Sequence, residues 1–312
     1  MSQEPKATAR RYFDAVAPDY LERYYDPATS RYPNLQLRAA IVAGALREAV
    51  PADACILDAG CGAGHFLVEA ARAGYRAVGV DIAPRMAARA RGLIGTLPPE
   101  LRSRCGVGVG DVERLAFRGK TFDAATASGV FEYLGEDARG LAELRRVLRP
   151  GGLALVSFRN RGFNTFSANA YTADEFARGT LGGLLDAVQT AIAADAERIT
   201  ALAPAFADAL AAAAAKPRPP ASGCAARAAD EGRWEKTMSR RQHTVEEVRS
   251  AAVAAGFRLE RVSYFHFHAF PPAVGDLLAD AARVLGLAME VFRDTALGAL
   301  FASGFVAQLR AM

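Results

Sequence analysis

The sequence has little cysteine and no long apolar run, and each absence excludes a class of protein. Its four cysteines among 312 residues show no C-x-x-C spacing, so they indicate neither a zinc site nor a disulfide framework. No segment offers 18 or more consecutive apolar residues, as a membrane-spanning helix would require. The first residues also lack the apolar run of a signal peptide. We therefore predict a cytoplasmic protein without an integral membrane segment.

Strong charge of one sign is lacking as well. The formal net charge is +4, and the arginines are spread among acidic residues instead of forming the basic stripe that binds phosphates. This distribution gives no case for a nucleic-acid partner. What the chain does have is length and 51% hydrophobic residues, which suffice to bury a full core.

An alternation of strands and helices begins near residue 55. Short apolar or β-branched runs predict five strands, at 55–59, 76–80, 104–110, 122–128 and 152–158. Helical patterns follow the first two runs, and ARGLAELRRVLRPGG predicts a helix that ends at Pro-Gly-Gly. Strands that alternate with helices predict an α/β fold with a parallel, doubly wound sheet.

The remaining chain divides into three parts. Residues 1–50 predict two helices that precede the sheet, and residues 161–242 predict a largely helical insertion with a Pro-rich joint, KPRPPASG. The core, 51–160, resumes over 243–312. There the sequence predicts a helix at 244–257, a sixth strand RLERVSYFHFH, a helix at about 274–297 and a last strand at 301–311. Thr244 and Glu247 predict a capping box at the start of the first of these helices.

The segment ILDAGCGAGHF predicts a ligand-binding turn between the first strand and its helix. Asp58, Gly60, Gly62 and Gly64 fall on this turn, where glycine lets the backbone approach a ligand closely. The spacing is compatible with a nucleotide-like ligand. A dinucleotide fingerprint would need a further glycine where His65 stands, which disfavours hydride transfer.

Two acidic residues follow the next strands. Asp81 ends the second strand about twenty residues beyond the glycine turn, where a carboxylate can accept hydrogen bonds from ribose hydroxyls. Asp111 and Val112 end the third strand and suit an adenine ring, which needs an acceptor for its amino group and a backbone donor. Helix N-capping is the simpler alternative for both acids.

Successive motifs resemble those of class I S-adenosylmethionine-dependent methyltransferases. They are LDAGCGAG, VGVDIA, GDVERLAF, FDAATASGVFEYL and LRRVLRPGGLALVSF, matched in order and spacing. The segments YFDAVAPDYLERYYD and RQHTVEEVRSAAVAAGFRLERVSYF are similar to the opening and closing elements of the ubiquinone/menaquinone-type branch. The resemblance implies a seven-stranded, mostly parallel sheet in the order 3-2-1-4-5-7-6 with the last strand antiparallel. It also implies N-terminal lid helices and an insertion after strand five that caps the acceptor.

The resemblance further implies S-adenosylmethionine as cofactor. Gly60 would lie against its methionine portion, Asp81 would bind the ribose, and Asp111 with Val112 would hold the adenine. Ser128 would line the floor beneath the sulfonium, and Arg38 would pair with the cofactor's carboxylate through its planar donor fork. The full set of predicted cofactor-binding residues is Arg38, Asp58, Gly60, Gly62, Asp81, Asp111, Val112 and Ser128.

A resident metal is not predicted. Some polyprenyl O-methyltransferases hold a divalent metal with E-x-x-E-H after strand four, but this chain has Gly129, Glu132 and Tyr133 there. Two histidines spaced as in His266 and His268 could chelate a metal, yet the sequence shows no third ligand motif. A packed edge strand is the other interpretation of this pair.

The acceptor is predicted to be a small, largely apolar molecule, with O-methylation slightly favoured and N- or C-methylation left open. An oxygen acceptor benefits from a base, and the predicted catalytic residues are His243, His266, His268 and Glu132. Strand alternation would place Tyr264 with both strand histidines on one face, and Phe265 with Phe267 on the other.

Two other functions fit parts of the sequence. One is a non-catalytic protein that binds S-adenosylmethionine with the same fold. The other is an RNA or DNA methyltransferase, which is disfavoured because SGVF stands where (N/D/S)-P-P-(Y/F) would follow strand four. The sequence leaves a homodimer open.

Overall fold

Seven strands form one sheet in the computed structural model, which describes residues 4–24, 34–216 and 240–312. The strands are β1 Cys55–Ala59, β2 Arg76–Asp81, β3 Cys105–Val109, β4 Phe122–Ala127, β5 Leu148–Arg159, β6 Phe257–Phe267 and β7 Ala302–Ala311. Their order is β3-β2-β1-β4-β5-β7-β6. Only β7 runs antiparallel to its neighbours, so the predicted fold class and strand order are confirmed.

Helices flank the sheet and fill its connections. They are α1 Glu4–Val16, α2 Tyr20–Tyr24, α3 Asn34–Ala49, α4 His65–Arg72, α5 Pro84–Gly95, α6 Pro99–Arg102, α7 Asp137–Val147, α8 Asn164–Ser167, α9 Ala170–Ala177, α10 Leu181–Ala194, α11 Ala196–Ala201, α12 Ala203–Ala214, α13 Val245–Ala254, α14 Pro272–Leu277, α15 Ala279–Met289 and α16 Gly298–Phe301. Short 3₁₀ turns lie at Ala17–Asp19, Phe131–Tyr133 and Glu290–Phe292. No helix within these described ranges combines the length and apolar character that crossing a bilayer requires.

Successive residues of the central strands point into two cores, one on each face of the sheet. Leu57 and Ala125 pack into the core that contains Phe158, whereas their neighbours Ile56 and Ala124 pack into the opposite core. All of these side chains are at most 2% exposed. Strands covered on both faces explain why the sequence shows continuous apolar runs instead of alternation.

Local sequence signals decide where several helices begin. The capping box predicted at α13 is present, because Glu247 N–H donates to Thr244 Oγ1 at 3.2 Å and Thr244 N–H donates to Glu247 Oε2 at 2.7 Å. Pro84 occupies the first position of α5, where its missing N–H has no helical partner to lose.

The Pro-Gly-Gly segment lies inside a strand, not at a helix end. Helix α7 stops at Val147, and β5 begins at Leu148, which pairs with Phe122. The ladder resumes at Leu153 opposite Ala124, so the residues between form a bulge. The predicted helix end at residue 152 is therefore wrong, because the helix ends at Val147 and the Pro-Gly-Gly segment belongs to β5. The single helix predicted over 274–297 is also divided, into α14, α15 and a 3₁₀ turn.

The insertion packs against the helices that connect β6 to β7. Helix α12 lies against α15, and the ring of Phe206 lies 5.6 Å from that of Phe292. Arg161 joins the insertion to the core, since it pairs with Glu175 at 2.7 Å and with Glu247 at 2.8 Å. The predicted boundaries of this part stay a prediction, and the Pro-rich joint lies outside the described residues.

Candidate functional site

A cavity of about 290 Å³ lies over the ends of the strands. In an open α/β sheet, ligands bind outside the carboxyl ends of the parallel strands. The loops after β1, β2, β3 and β4, the end of β5 and the start of the antiparallel β7 all contribute to the cavity wall. Helix α1 covers it with Lys6, Tyr12 and Phe13, and Tyr20 at the start of α2 joins them.

Most of the predicted cofactor residues line the cavity, and those after β1, β2 and β3 define one half of it. Seven of the eight line the cavity, and these are Arg38, Gly60, Gly62, Asp81, Asp111, Val112 and Ser128. The eighth, Asp58, lines a smaller adjoining pocket with His65. The structure thus brings together residues that are up to 90 positions apart in the sequence.

The glycine turn has no room for a side chain at Gly60. Gly60 has a φ of +84°, and a Cβ placed there would overlap the Cγ2 atom of Val130. Its N–H donates to the Val80 carbonyl at 2.7 Å, which ties the turn to β2. A left-handed backbone this close to a neighbour requires glycine, so the turn stays open to a ligand.

Asp81 is held by two backbone donors. Gly62 N–H donates to Oδ2 and Ala83 N–H donates to Oδ1, each at 2.8 Å. Burial raises the pKa of Asp81, although these two N–H groups act in the opposite direction. Each carboxylate oxygen has a further lone pair, so Asp81 can cap the following turn and still accept from two hydroxyls.

Asp111 has a partner that the sequence did not predict. Lys6 donates from Nζ to Asp111 Oδ2 at 2.6 Å and also pairs with Glu113. The N–H of Glu113 donates to Asp111 Oδ1 at 2.9 Å. Helix α1 therefore closes directly on the carboxylate predicted to receive the adenine amino group.

Asp58 lies beneath the glycine turn and is 4% exposed. Its Oδ1 accepts a hydrogen bond from Thr126 Oγ1 at 2.7 Å. Burial raises the pKa of Asp58 to about 7, against the lowering effect of this hydrogen bond. The residue is thus held in place by β4 and can change its charge near neutral pH.

Arg38 reaches the cavity from α3. Its guanidinium lies 5.9 Å from the ring centroid of Phe265, within the range of a cation–π contact. Gly129, with a φ of +72°, follows β4, and a Cβ there would come within 3.0 Å of Arg38 Nη1. The absence of a side chain at Gly129 therefore makes room for the guanidinium beside Ser128.

The other half of the cavity, over β4, β5 and β7, is the acceptor half. Its polar lining residues are Glu132, Tyr133, Ser157, Arg159, Arg240, His266 and Ser303. Ser157 Oγ accepts from Gly129 N–H at 2.8 Å, which fixes the loop after β4. Burial of its hydroxyl raises the pKa of Tyr133, so the phenol stays protonated.

The strand alternation predicted for SYFHFH is wrong. Tyr264 and Phe267 pack into the core around Leu57, whereas Phe265 packs into the opposite core, so the two phenylalanines do not share a face. His266 lies between them with a left-handed backbone, φ +60°, and this residue shifts the alternation by one position. The shift directs His266 into the cavity, beside Ser303.

His266 and His268 form a partly buried pair of neutral rings. Their centroids are 4.3 Å apart, and Ser303 Oγ lies 2.8 Å from His266 Nδ1. Burial, together with the charge of Arg159, lowers the pKa of His268 to about 4 and that of His266 well below its ordinary value. Within the described ranges, no group of three His, Cys, Asp or Glu side chains is arranged to hold a metal ion.

The four predicted catalytic residues separate into two groups. Glu132 and His266 line the cavity, whereas His243 and His268 do not. His243 is 3% exposed, and its Nε2 lies 3.0 Å from Asp137 Oδ2. Burial alone would raise the pKa of Asp137, but hydrogen bonds from His243 and Arg241 lower it. His243 thus belongs to a buried ion-pair cluster that joins α7 to the segment before α13.

Sequence reasoning missed Lys6, Arg159 and Ser303. Arg159 follows the predicted fifth strand directly, so its place at a carboxyl strand end was a usable signal. Ser303 begins an antiparallel strand, whose first residues share that edge of the sheet. Lys6 had no such signal, because its position depends on how α1 docks.

Comparison with known proteins agrees with this geometry. Residues 57–156 match the methyltransferase domain family. A ubiquinone biosynthesis O-methyltransferase of Xanthomonas oryzae pv. oryzae is 29% identical over 175 residues, which cover 55% of this chain and 66% of that protein. Other curated relatives are covered over 33% and 43% of their lengths, so the chain spans between a third and two thirds of these proteins.

Solved structures show the same fold at low identity. Magnesium protoporphyrin IX methyltransferase from Synechocystis PCC 6803 with bound SAH is 14% identical with a TM-score of 0.54, over 99% of this chain and 100% of that chain. The [4+2]-cyclase SpnF is 16% identical with a TM-score of 0.54, over 97% and 95% of the two chains. These likenesses concern the fold alone.

The domain match and the sheet together define the class. The chain carries a class I S-adenosylmethionine-dependent methyltransferase domain, as its motifs predicted. The cavity also fits the cofactor of this class. Gly60 presents bare backbone to the cavity, Asp81 and Asp111 offer carboxylate oxygens, and Arg38 offers a fork for a carboxylate.

Proposed function

We propose that the protein transfers a methyl group from S-adenosylmethionine to a small-molecule acceptor, with an oxygen acceptor favoured. The observation that carries this proposal is the convergence of seven predicted cofactor residues on one cavity that continues into an acceptor half. The ubiquinone-pathway relative, an O-methyltransferase by name, supports the choice of oxygen.

The protein's part in this reaction is to bind, to align and to exclude water. S-adenosylmethionine, when bound, would supply a methyl group activated by its sulfonium. A lone pair of the acceptor would attack the methyl carbon in line, and the electrons of the C–S bond would return to sulfur. Asp81 and Asp111 would hold the nucleoside, and Arg38 the amino-acid carboxylate. Helix α1, fastened by Lys6, would cover the nucleoside end.

Proton removal, where an acceptor needs it, would be carried out by a cavity residue. We assign this role first to Glu132, which lies on the 3₁₀ turn after β4 in the acceptor half. Burial lowers the pKa of His266 well below its ordinary value, which makes the imidazole a poor proton acceptor. His243 and His268 lie outside the cavity lining, so we assign them supporting roles.

Calorimetric titration of the full chain with S-adenosylhomocysteine tests the cofactor part of the proposal. We expect one site per chain. A methyl-release screen over phenols, amines and carboxylates then tests transfer, with phenols or carboxylates expected to react. Absence of S-adenosylhomocysteine binding would refute the proposal. Binding without turnover on any of the three acceptor classes would favour the alternative of a non-catalytic binding protein.

A further inference from the structure

Arg159 is a partly buried cation of the acceptor half. Its Nε is buried without a hydrogen-bond partner, and no carboxylate in residues 4–24, 34–216 or 240–312 forms an ion pair with it. Its guanidinium lies 5.9 Å from the ring of Tyr171. The neighbouring Arg161 is instead paired, with Glu175 at 2.7 Å. A partly buried cation without a counter-charge is costly to remove from water unless a ligand supplies one.

The surroundings of Arg159 leave its charge unneutralised. His266 and His268 are neutral rings at ordinary pH, because burial and the positive charge of Arg159 both lower their pKa values. Glu132 is the one carboxylate among the described lining residues of this half, and it forms no ion pair with Arg159.

The other two carboxylates of the cavity lie at its other end. Asp81 and Asp111 belong to the loops after β2 and β3, and Lys6 already pairs with Asp111. Arg159 ends β5, on the far side of β1 and β4 from those strands. Neither Asp81 nor Asp111 therefore supplies a counter-charge to Arg159.

We propose that the acceptor carries an anionic group of the carboxylate class, which pairs with the guanidinium of Arg159. This inference rests on the proposed methyl transfer and specifies its acceptor, replacing a largely apolar molecule by one with an apolar body and an anionic group. Arginine suits this role, since its planar fork matches a carboxylate in a bidentate arrangement. Tyr133 and Phe158 supply apolar cavity wall for the rest of the molecule.

Binding to the protein saturated with S-adenosylhomocysteine tests the inference without requiring turnover. The probes are matched pairs of hydroxynaphthoic acids and the corresponding hydroxynaphthamides, which differ in charge and little in size. We expect the acids to bind about tenfold more tightly or better, because hydrogen bonds to charged groups are the stronger ones. Equal affinity for acid and amide, or no binding of any acid, would overturn the inference.

Substitution of Arg159 tests the residue itself. Arg159→Gln should bring the acid-to-amide affinity ratio close to one, and Arg159→Lys should keep part of the preference because it keeps the charge. Arg178→Gln is the matched control, since its side chain is 69% exposed on the insertion. Affinity for S-adenosylhomocysteine should be unchanged in all three variants.

The controls also separate this inference from the proposed function. Failure of the wild-type protein to bind S-adenosylhomocysteine would refute the proposed function. Normal S-adenosylhomocysteine binding with an unchanged acid-to-amide ratio in Arg159→Gln would refute only the role of Arg159. The wild-type acid-to-amide comparison needs no substitution, so it decides the charge preference even where a variant folds poorly.

Discussion

Replacing Asp81 by asparagine should weaken cofactor binding strongly while leaving the chain folded. Both carboxylate oxygens accept a backbone N–H at 2.8 Å, from Gly62 and Ala83. An asparagine keeps one acceptor but turns its NH₂ group toward the other N–H. Leaving that buried donor unsatisfied costs about 1–3 kcal/mol.

The loss of ribose contacts adds to this effect. A hydrogen bond to a charged acceptor contributes about 1.5–3 kcal/mol and one to a neutral acceptor about 0.5–1.5 kcal/mol. We therefore expect Asp81→Asn to lose about 3 kcal/mol of binding free energy, or about a hundredfold in the Kd for S-adenosylhomocysteine. Urea unfolding of the free protein should show a smaller loss of stability, about 1–2 kcal/mol.

Asp123 provides the matched control. Its Oδ2 accepts from Cys55 N–H at 2.8 Å, and the residue also pairs with Arg149 at the opposite end of β4. Asp123→Asn should lower stability and leave the Kd for S-adenosylhomocysteine unchanged. A Kd of Asp81→Asn within about threefold of wild type, in calorimetry on folded protein, would refute the ribose role.

Three further predictions concern other parts of the molecule. Because burial raises the pKa of Asp58 to about 7, the native state retains a proton that the unfolded state has lost, and wild-type stability should fall as pH rises from 3.8 to 7. Asp58→Asn should remove this fall, at most about 1.4 kcal/mol per pH unit, and parallel urea-stability curves for the two proteins between pH 5 and 7 would contradict it. Gly298→Ala should destabilise the protein by about 1–3 kcal/mol in urea unfolding, because the added Cβ would overlap the ring of Tyr264. Gly183→Ala is the control: it has open space around it in α10 and should be neutral or stabilising. Equal stability of the two variants would count against the packing of Tyr264 on Gly298. Glu132→Gln should lower kcat toward a hydroxyl acceptor by about a hundredfold or more at unchanged S-adenosylhomocysteine affinity, and an unchanged kcat would exclude Glu132 as base.

The fold was predictable because its signals are local. Strand runs, the glycine turn and the capping box at Thr244 depend on neighbouring residues, and the order of the family's motifs supplied the topology. The errors fall where a long-range pairing overrides local pattern. Leu148 joins the sheet because Phe122 is opposite it, and the Pro-Gly-Gly segment is absorbed as a bulge.

The site was predictable in one half. Gly60, Asp81 and Asp111 follow strands whose carboxyl ends share one edge, so sequence position implied spatial proximity. The acceptor half is formed by residues of β5 and β7 and by His266, whose left-handed backbone interrupts β6. No local sequence pattern gives the relative placement of these strands. Lys6 reaches Asp111 across 105 positions of sequence, and only docking of α1 brings the two together.

His266 shows how a strand can sacrifice some stability to present a side chain. A β-strand residue in the left-handed region is strained by about 1–2 kcal/mol, and glycine would adopt that conformation without strain. His266→Gly should therefore relax the backbone while removing the imidazole from the cavity. If the imidazole contributes to acceptor binding or methyl transfer, a substitution that stabilises this position would lower activity. Stability and activity therefore make opposite demands on residue 266.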